Sequence, residues 1–418
     1  MKKYLLLLLL TFPAVSFGQT LVELQRWARE AHPFLVQKEL YDNISRQRQA
    51  NTNSNNLPSV LLNAQATYQS DVTSVNIPSI PGVSGLQIPS QSKDQYKAWV
   101  DVRQNIWDGG MVKVANALES AQNAVNVQGV EVELYKVREQ VNQLFFSSFL
   151  LQENLNILER KEETLQEKEK QMESAVRNGI LLASEQDVLR AELLQLKQQR
   201  VELQSSFEVC IASLAILTGK SVSEIGRLSI DSTVGSSKSA RPEMELFGKQ
   251  ESLLTAKIDM LKKERNPVLF GFGQAGYGRP GLNMLQDDFD PYYMVGVGLK
   301  WNVLDWKNLK RNKDIVKMEK QLVQSQQNAF ERGVEIALEA ENRKIEQITE
   351  ILKTDAEHIQ LRETITKSAA SQHENGAMTT SDYLKELNAE MTANIMMKTH
   401  QVQLELAKAN CRFIIGEP

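Results

Sequence analysis

The 418-residue sequence contains only two cysteines, Cys210 and Cys411, too few for a disulfide framework and too far apart for a metal knuckle. Four histidines supply multi-histidine metal chemistry poorly, and no metal site or cofactor is expected. Basic residues are not in excess: 48 Lys and Arg face 52 Asp and Glu, a formal charge of −4, so the footprint of a nucleic-acid partner is missing. The chain has no G-x-S-x-G elbow, no H-E-x-x-H and no phosphate loop. Gly271-Phe272-Gly273 sits in a strand pattern without the glycine-rich helix start that phosphate binding needs. No catalytic residue is assigned, and the chain is read as a non-enzyme. Beyond residue 18 no run of 18 or more apolar residues occurs, so no membrane helix is expected there. Entry into a membrane would then require a barrel.

What is present begins with a targeting pattern. Met1-Lys2-Lys3, the leucine run from Leu5 to Leu10 and the small-residue stretch ending at Gly18 read as a signal peptide over residues 1–18. Its removal takes Lys2 and Lys3 and leaves 46 basic against 52 acidic residues, or −6. No cysteine lies near the cut, which closes the lipid-anchored route.

The mature chain is duplicated. At an offset of 209, His32-Pro33 matches Arg241-Pro242, Pro58 matches Pro267 and Tyr68 matches Tyr277. The offset then becomes 197, pairing Tyr96 with Tyr293, Asp108 with Asp305, Asn178-Gly179 with Asn375-Gly376 and Gly219 with Gly416. The first repeat is placed at 19–219, with strands about 58–69 and 95–107, a long helix about 109–177 and a return helix about 184–218. A linker at 220–241 follows, and the second repeat occupies 242–418, with strands about 267–277 and 292–304, a long helix about 307–374 and a return helix about 381–415.

The strands alternate with period two. Val60, Leu62, Ala64, Ala66 and Tyr68 share one face, Asn63 and Gln65 the other; Ala98, Val100 and Val102 oppose Asp101, Arg103 and Asn105. Their length suits a tilted membrane strand of about 9–11 residues and equally a half-buried soluble sheet. Tyr96, Trp99, Trp107, Tyr292, Tyr293, Trp301 and Trp306 gather at the second strand of each pair, in the manner of an interfacial aromatic belt. The long helix from residue 109 carries Val130, Val137, Leu144, Leu151, Leu158, Leu165 and Met172 every seven residues, and reaches roughly 100 Å at 1.5 Å per residue. Leu189, Leu196, Leu203, Cys210 and Leu217 continue the period, and Leu338, Ile345, Leu352 and Ile359 mark the second half. Four strands cannot close a barrel; two chains give eight and three give twelve. A secreted or periplasmic coiled-coil scaffold would explain the heptads alone, leaving strands and signal peptide unexplained.

Across essentially the whole mature chain this pattern resembles the TolC family of outer membrane efflux proteins. The resemblance is carried by the duplicated plan together with Leu57-Pro58-Ser59 before the first strand, Asn105-Ile106-Trp107-Asp108-Gly109-Gly110 at strand exit, Asn178-Gly179 and Asn375-Gly376 at the turns, and the helix ends Leu217-Thr218-Gly219 and Ile415-Gly416. It implies a mainly α chain with a β-barrel part, a homotrimer whose twelve-stranded barrel sits in outer-membrane lipid on a periplasmic α-helical tunnel. It further implies a passive duct serving an inner-membrane transporter through a periplasmic adaptor.

Gly179 and Gly376 are suited to end the long helices, and Ser184 and Ser381 to cap the returning ones. These residues, with Asn178 and Asn375, are either turn chemistry, adaptor-contacting tips, or both. Asp382 falls where the family has an acidic residue of its aperture ring, and Glu185 at the matching place in the first half; each is equally suited to a helix N-terminus. Lys385, His373 and Met378 depart from the best-known members, so their closed-state contacts do not transfer. Asp101, Arg103, Lys300 and Asn302 are expected to line the barrel lumen. The loops at 70–94 and 278–290 are expected outside the cell. Met396, Met397 and His400 do not converge on a helix and are read as packing.

Overall fold

The computed structural model describes residues 19–73, 91–222, 226 and 240–417. The signal segment 1–18, most of the loop between the first two strands and most of the 220–241 linker lie outside these residues. The first half runs α1 (Leu21–Ala31), α2 (Phe34–Ser54), β1 (Ser59–Tyr68), β2 (Asp94–Trp107), α3 (Met111–Arg177) and α4 (Ala183–Thr218). The second half runs α5 (Pro242–Lys263), β3 (Val268–Arg279), β4 (Asp290–Lys300), α6 (Asn308–Glu374) and α7 (Thr380–Ile415). The described residues fall into two compact units, those within 1–37, 129–245 and 327–418, and those within 38–128 and 246–326, so each unit draws on both sequence halves.

Why the long helices start where they do is visible at a repeated aspartate. Asp108 accepts hydrogen bonds from the backbone N–H of Gly110 (2.8 Å) and Val112 (2.6 Å). Asp305, its repeat partner, accepts from Lys307 (3.2 Å) and Leu309 (3.1 Å). Both satisfy orphan donors of a helix start and favour its positive end. Gly109 takes a left-handed φ of +72°, and a Cβ there would come within 2.6 Å of the Asn266 Cβ, so the helix pattern stops short of it. The second repeat places Trp306 and Lys307 at the same left-handed backbone, φ 50° and 66°, despite their side chains.

The strands form one antiparallel sheet in the order β1-β2-β3-β4. β4 ends at Lys300, paired with Val268 at the start of β3, rather than continuing to residue 304. Beyond that pair no strand partner remains. The Trp301 indole N–H donates instead to the Arg265 carbonyl at 3.1 Å.

In the unit built on 129–245, the heptads bury in part: Val130, Val137, Leu158, Leu165, Met172, Leu189 and Leu196 are buried, while Leu144, Leu151, Leu203, Cys210 and Leu217 are half-buried. Leu158, Leu165, Met172, Leu189 and Leu196 form a seam of α3 and α4 closed by Tyr383 and Leu384 of α7. Leu24, Val137, Val141, Phe145, Phe146 and Leu214 form a second cluster around α1. The second-half heptad is shifted: Ile348 is buried, while Leu338, Ile345, Leu352 and Ile359 are half-buried. Another apolar stripe faces out on α4 through Leu194, Val201, Val209 and Ile216, the last 82% exposed. Among the described residues, α4 is the one helix long and apolar enough to cross a membrane by length and composition. Its near-heptad stripe beside an already buried seam is also the pattern of a helix awaiting a second helical neighbour.

Asp108→Ala and Asp305→Ala should each lower stability by about 1 kcal/mol, with the Asn variants retaining most of it. Apparent melting temperature by scanning fluorimetry checks this; equal shifts for Ala and Asn would show that capping is not the cause.

Candidate functional site

The pairing register sorts the sheet into two unlike faces. Val60, Leu62, Ala64, Ala66 and Tyr68 of β1 lie beside Tyr96, Ala98, Val100 and Val102 of β2, and the face continues through Ala275 and Tyr277 of β3 to Tyr293, Val295, Val297 and Leu299 of β4. It is largely exposed, with Leu62 at 80% and Val297 at 73%, while Val100 on the inner strand β2 is half-buried. Among the described residues its charged side chains, Asp94 and Arg279, sit at its loop end and pair with each other. Tyr68, Tyr96, Tyr277 and Tyr293 rim that end, while exposed Trp107, Trp301 and Trp306 mark the end next to the long helices. An apolar band between two aromatic rims is the surface of a membrane strand.

The opposite face is polar at its centre. Asp101 accepts from Asn63 (2.8 Å), the Trp99 indole (2.7 Å) and Gln274 (2.8 Å), joining three strands. The Arg103 guanidinium lies 3.9 Å over the Phe270 ring. Phe270, Phe272 and Tyr292 stand directly opposite Gly298, Gly296 and Gly276. A Cβ at Gly296 would come within 2.6 Å of the Phe272 ring, so these glycines exist to let aromatic rings lie flat on the sheet. Lys300 shares this face as the last residue of β4, whereas Asn302 lies past the strand and is not on the sheet, which corrects its expected placement. The glycine–aromatic pairs escaped sequence reasoning because each joins residues from different strands.

At the C-terminal ends of α3 and α6 the two turns have the same construction. Gly179 (φ +73°) and Gly376 (φ +70°) take the left-handed position. Ile180 N–H donates to the Ala175 carbonyl (2.9 Å) and Ala377 N–H to the Gln372 carbonyl (2.8 Å), the six-to-one bond of a Schellman end. Asn178 and Asn375 occupy the residue before each glycine. Ser184 and Ser381 are not the caps. Leu182 holds that position for α4 without a side-chain bond, and Thr379 holds it for α7, its hydroxyl oxygen accepting from Asp382 N–H at 3.2 Å. The serines fall two residues after the caps, inside the helices. Thr379-Thr380-Ser381-Asp382 is itself a Thr-x-x-Asp capping pattern, the signal that would have placed the cap correctly.

The two candidate aperture carboxylates meet at this helix start. Asp382 accepts from the Thr379 hydroxyl at 2.8 Å, and Glu185, from the other hairpin, accepts the Thr380 backbone N–H at 2.8 Å. Bonds from the Thr380 hydroxyl and N–H hold the Glu185 carboxyl below the usual carboxylate range. His373 stacks on Tyr383 (5.2 Å between ring centroids), with Nε2 3.0 Å from the Thr380 hydroxyl and Nδ1 unpartnered. Burial pushes its imidazole down, helped by Lys168 and opposed by Glu185 and Glu374. Further ties cross between the hairpins, Lys168 to Glu374 (2.6 Å) and the buried Lys161 to Asn388, while Lys161 also pairs with Glu192 (2.7 Å) of its own hairpin. Met378 packs against the heptad seam. Among the described residues no group of three or more His, Cys, Asp or Glu is placed to hold a metal, and both cysteines are free thiols.

No protein-family model matches the chain, and no curated protein matches it by sequence. Solved structures do. The Campylobacter jejuni CmeC outer membrane channel is 15% identical, with a TM-score of 0.66 over 95% of this chain and 85% of that one. The Vibrio cholerae outer membrane protein VceC is 13% identical, with a TM-score of 0.67 over 95% and 96%. The open state of the Neisseria gonorrhoeae MtrE outer membrane channel is 15% identical, with a TM-score of 0.64 over 95% and 89%. The chain has the TolC-like fold of outer membrane factors. Within that TolC-like fold, the sheet with its apolar face and the capped hairpin tips are the features that carry chemistry.

The depressed values of His373 and Glu185 mean that the folded tip binds fewer protons than the unfolded chain. The stability they contribute is present above their ordinary values of 6.5 and 4.5, and is lost as pH falls through the lower folded values, His373 first. Protection factors of residues 372–384, corrected for intrinsic exchange, should therefore fall as pH is lowered from 7.5 to 5.5. A His373→Gln variant should show little of that change; an unchanged response in the variant would assign the effect elsewhere.

Proposed function

We propose that this chain is the outer-membrane exit duct of a tripartite efflux or type I secretion machine, passive in itself and built from three copies. The observation that carries the reading is the sheet: among the described residues it has four strands, both edges open, and one exposed apolar face rimmed by tyrosine and tryptophan. Such a face suits hydrocarbon, where open edges are not tolerated, so the edge strands β1 and β4 must pair with neighbouring copies. Three copies supply twelve strands, enough for a lumen to begin. The unpartnered apolar stripe of α4 supports helical neighbours from the next copy. The outer membrane channels that share the fold support the location, outer membrane with a periplasmic extension.

In this reading the polar face lines the duct. Asp101, fixed by three neutral donors, Arg103 over Phe270, and Lys300 present charge to the passing solute. The helices, 67 residues in α3 and in α6 and so about 100 Å each, carry the wall across the periplasm. The tips, Asn178–Ser184 and Asn375–Ser381, meet the periplasmic adaptor, which links the duct to an inner-membrane transporter. Exposed Ile180 and Leu182 give the first tip an apolar contact surface. Asp382 and Glu185, repeated three times around an axis, make the periplasmic aperture negative and cation-favouring. Their capping bonds hold both carboxylates in fixed positions.

Planar-bilayer recording of detergent-purified protein tests this. Wild type should give stable channels, and Asp382→Asn, which keeps the acceptor but removes the charge, should lower cation preference. Channels indifferent to Asp382→Asn would discard the aperture ring and keep the duct. A protein soluble without detergent and silent in the bilayer would overturn the duct and favour a secreted coiled-coil scaffold.

A further inference from the structure

We infer that the β3–β4 loop, residues 280–289, is a membrane anchor that sets Leu282, Met284 and Leu285 into the headgroup–acyl boundary of the outer leaflet. The inference rests on the barrel reading above and assigns that reading a specific lipid contact. Leu282, Met284, Leu285 and Phe289 are all exposed, from 45% to 62%, which concentrates apolar surface in a ten-residue connection. Water alone gives no reason for that composition.

The loop leans to one side of the sheet. The Phe289 ring stacks on Tyr277 (5.7 Å) and Tyr96 (6.4 Å), two of the tyrosines that rim the apolar face. The Arg279 guanidinium, on the same face, covers the rings of Tyr96 and Phe289 and pairs with Asp94. Through Phe289 the loop is thus continuous with the apolar face of the sheet. Aromatic bodies with a charged tip beside them are the side chains that settle at a membrane interface.

The loop is also held in this pose. Asp287 accepts from Ser92 N–H at 2.9 Å and from the Ser92 hydroxyl, the Gln91 amide donates to the Met284 carbonyl, and Leu285 N–H donates to the Asn283 side chain at 3.0 Å. The bonds from Gln91 and Ser92 tie the loop to the segment leading into β2, an inner strand, the Leu285–Asn283 bond shapes the loop itself, and the apolar side chains stay exposed. Because β1 and β4 are the open edges, pairing with a second copy occurs along the sheet's margins and does not require this surface. The charges of the segment, Asp287, Asp288 and Asp290 against Arg279, are net acidic, so the attraction is to the apolar boundary and not to anionic headgroups.

The test uses the full chain in phosphatidylcholine vesicles, with Cys210 and Cys411 replaced by Ser and single nitroxide labels introduced. Labels at Leu285→Cys and Met284→Cys should collide more with oxygen, which partitions into lipid, than with a water-soluble nickel chelate. Val297→Cys on the apolar face should behave alike, and Gln65→Cys on the polar face should favour nickel. Nickel-accessible labels at both loop sites, with Val297→Cys still in lipid, would overturn the anchor and leave the barrel standing. Loop labels shielded from both reagents would also overturn it, since protein would then cover the loop. Nickel access at Val297→Cys as well would bring down the barrel reading itself.

Discussion

A four-stranded antiparallel sheet leaves the outward N–H and C=O groups of its two outer strands without strand partners, and among the described residues those strands are β1 and β4. In water the gap is filled by solvent. The exposed face of this sheet, from Val60 to Leu299, is apolar and argues for hydrocarbon, where each unpaired backbone group costs several kcal/mol. Ring closure with other copies resolves both demands at once. The rest of the proposed architecture follows from that need, because a closed ring of short sheets creates a lumen on the polar face and hands its strands to helices arranged around the same axis.

The helices meet a related constraint in water. Their buried heptad seam, Leu158 to Leu196 with Tyr383 and Leu384, holds the two hairpins of one chain together, while the second stripe on α4 stays exposed. Polar ties reinforce the seam near the turns, most directly through Glu185, which caps the helix start of the other hairpin. A carboxylate that serves as a cap is fixed in position and held ionised. That combination lets one residue contribute to tip stability and to the charge of an opening beside it.

Much of this was legible in the sequence, for physical reasons. Strand alternation and heptad spacing are local periodicities set by backbone geometry, so the sheet faces around Val100 and Asp101 and the seam through Leu165 could be read from spacing alone. The repeat also exposed Asp108 and Asp305, which prove to be helix caps. What stayed hidden depends on contacts between distant elements. Ser381 looked like a cap until Thr379 took the role, and β4 stopped at Lys300 because its partner strand begins at Val268, taking Asn302 off the sheet. The flat aromatic rings over Gly276, Gly296 and Gly298, and the Asp287–Ser92 latch, join residues that no local pattern links. Trp306 and Lys307 adopt a left-handed backbone where the first repeat has Gly109 and Gly110, so the glycine signal was present in only one half.

The central claim is closure of the sheet by three copies, and native mass spectrometry of the detergent-solubilised protein tests it most directly. The account predicts a complex of three mature chains that survives removal of the detergent micelle in the gas phase. A monomeric species from material that stays folded and soluble without detergent would contradict it.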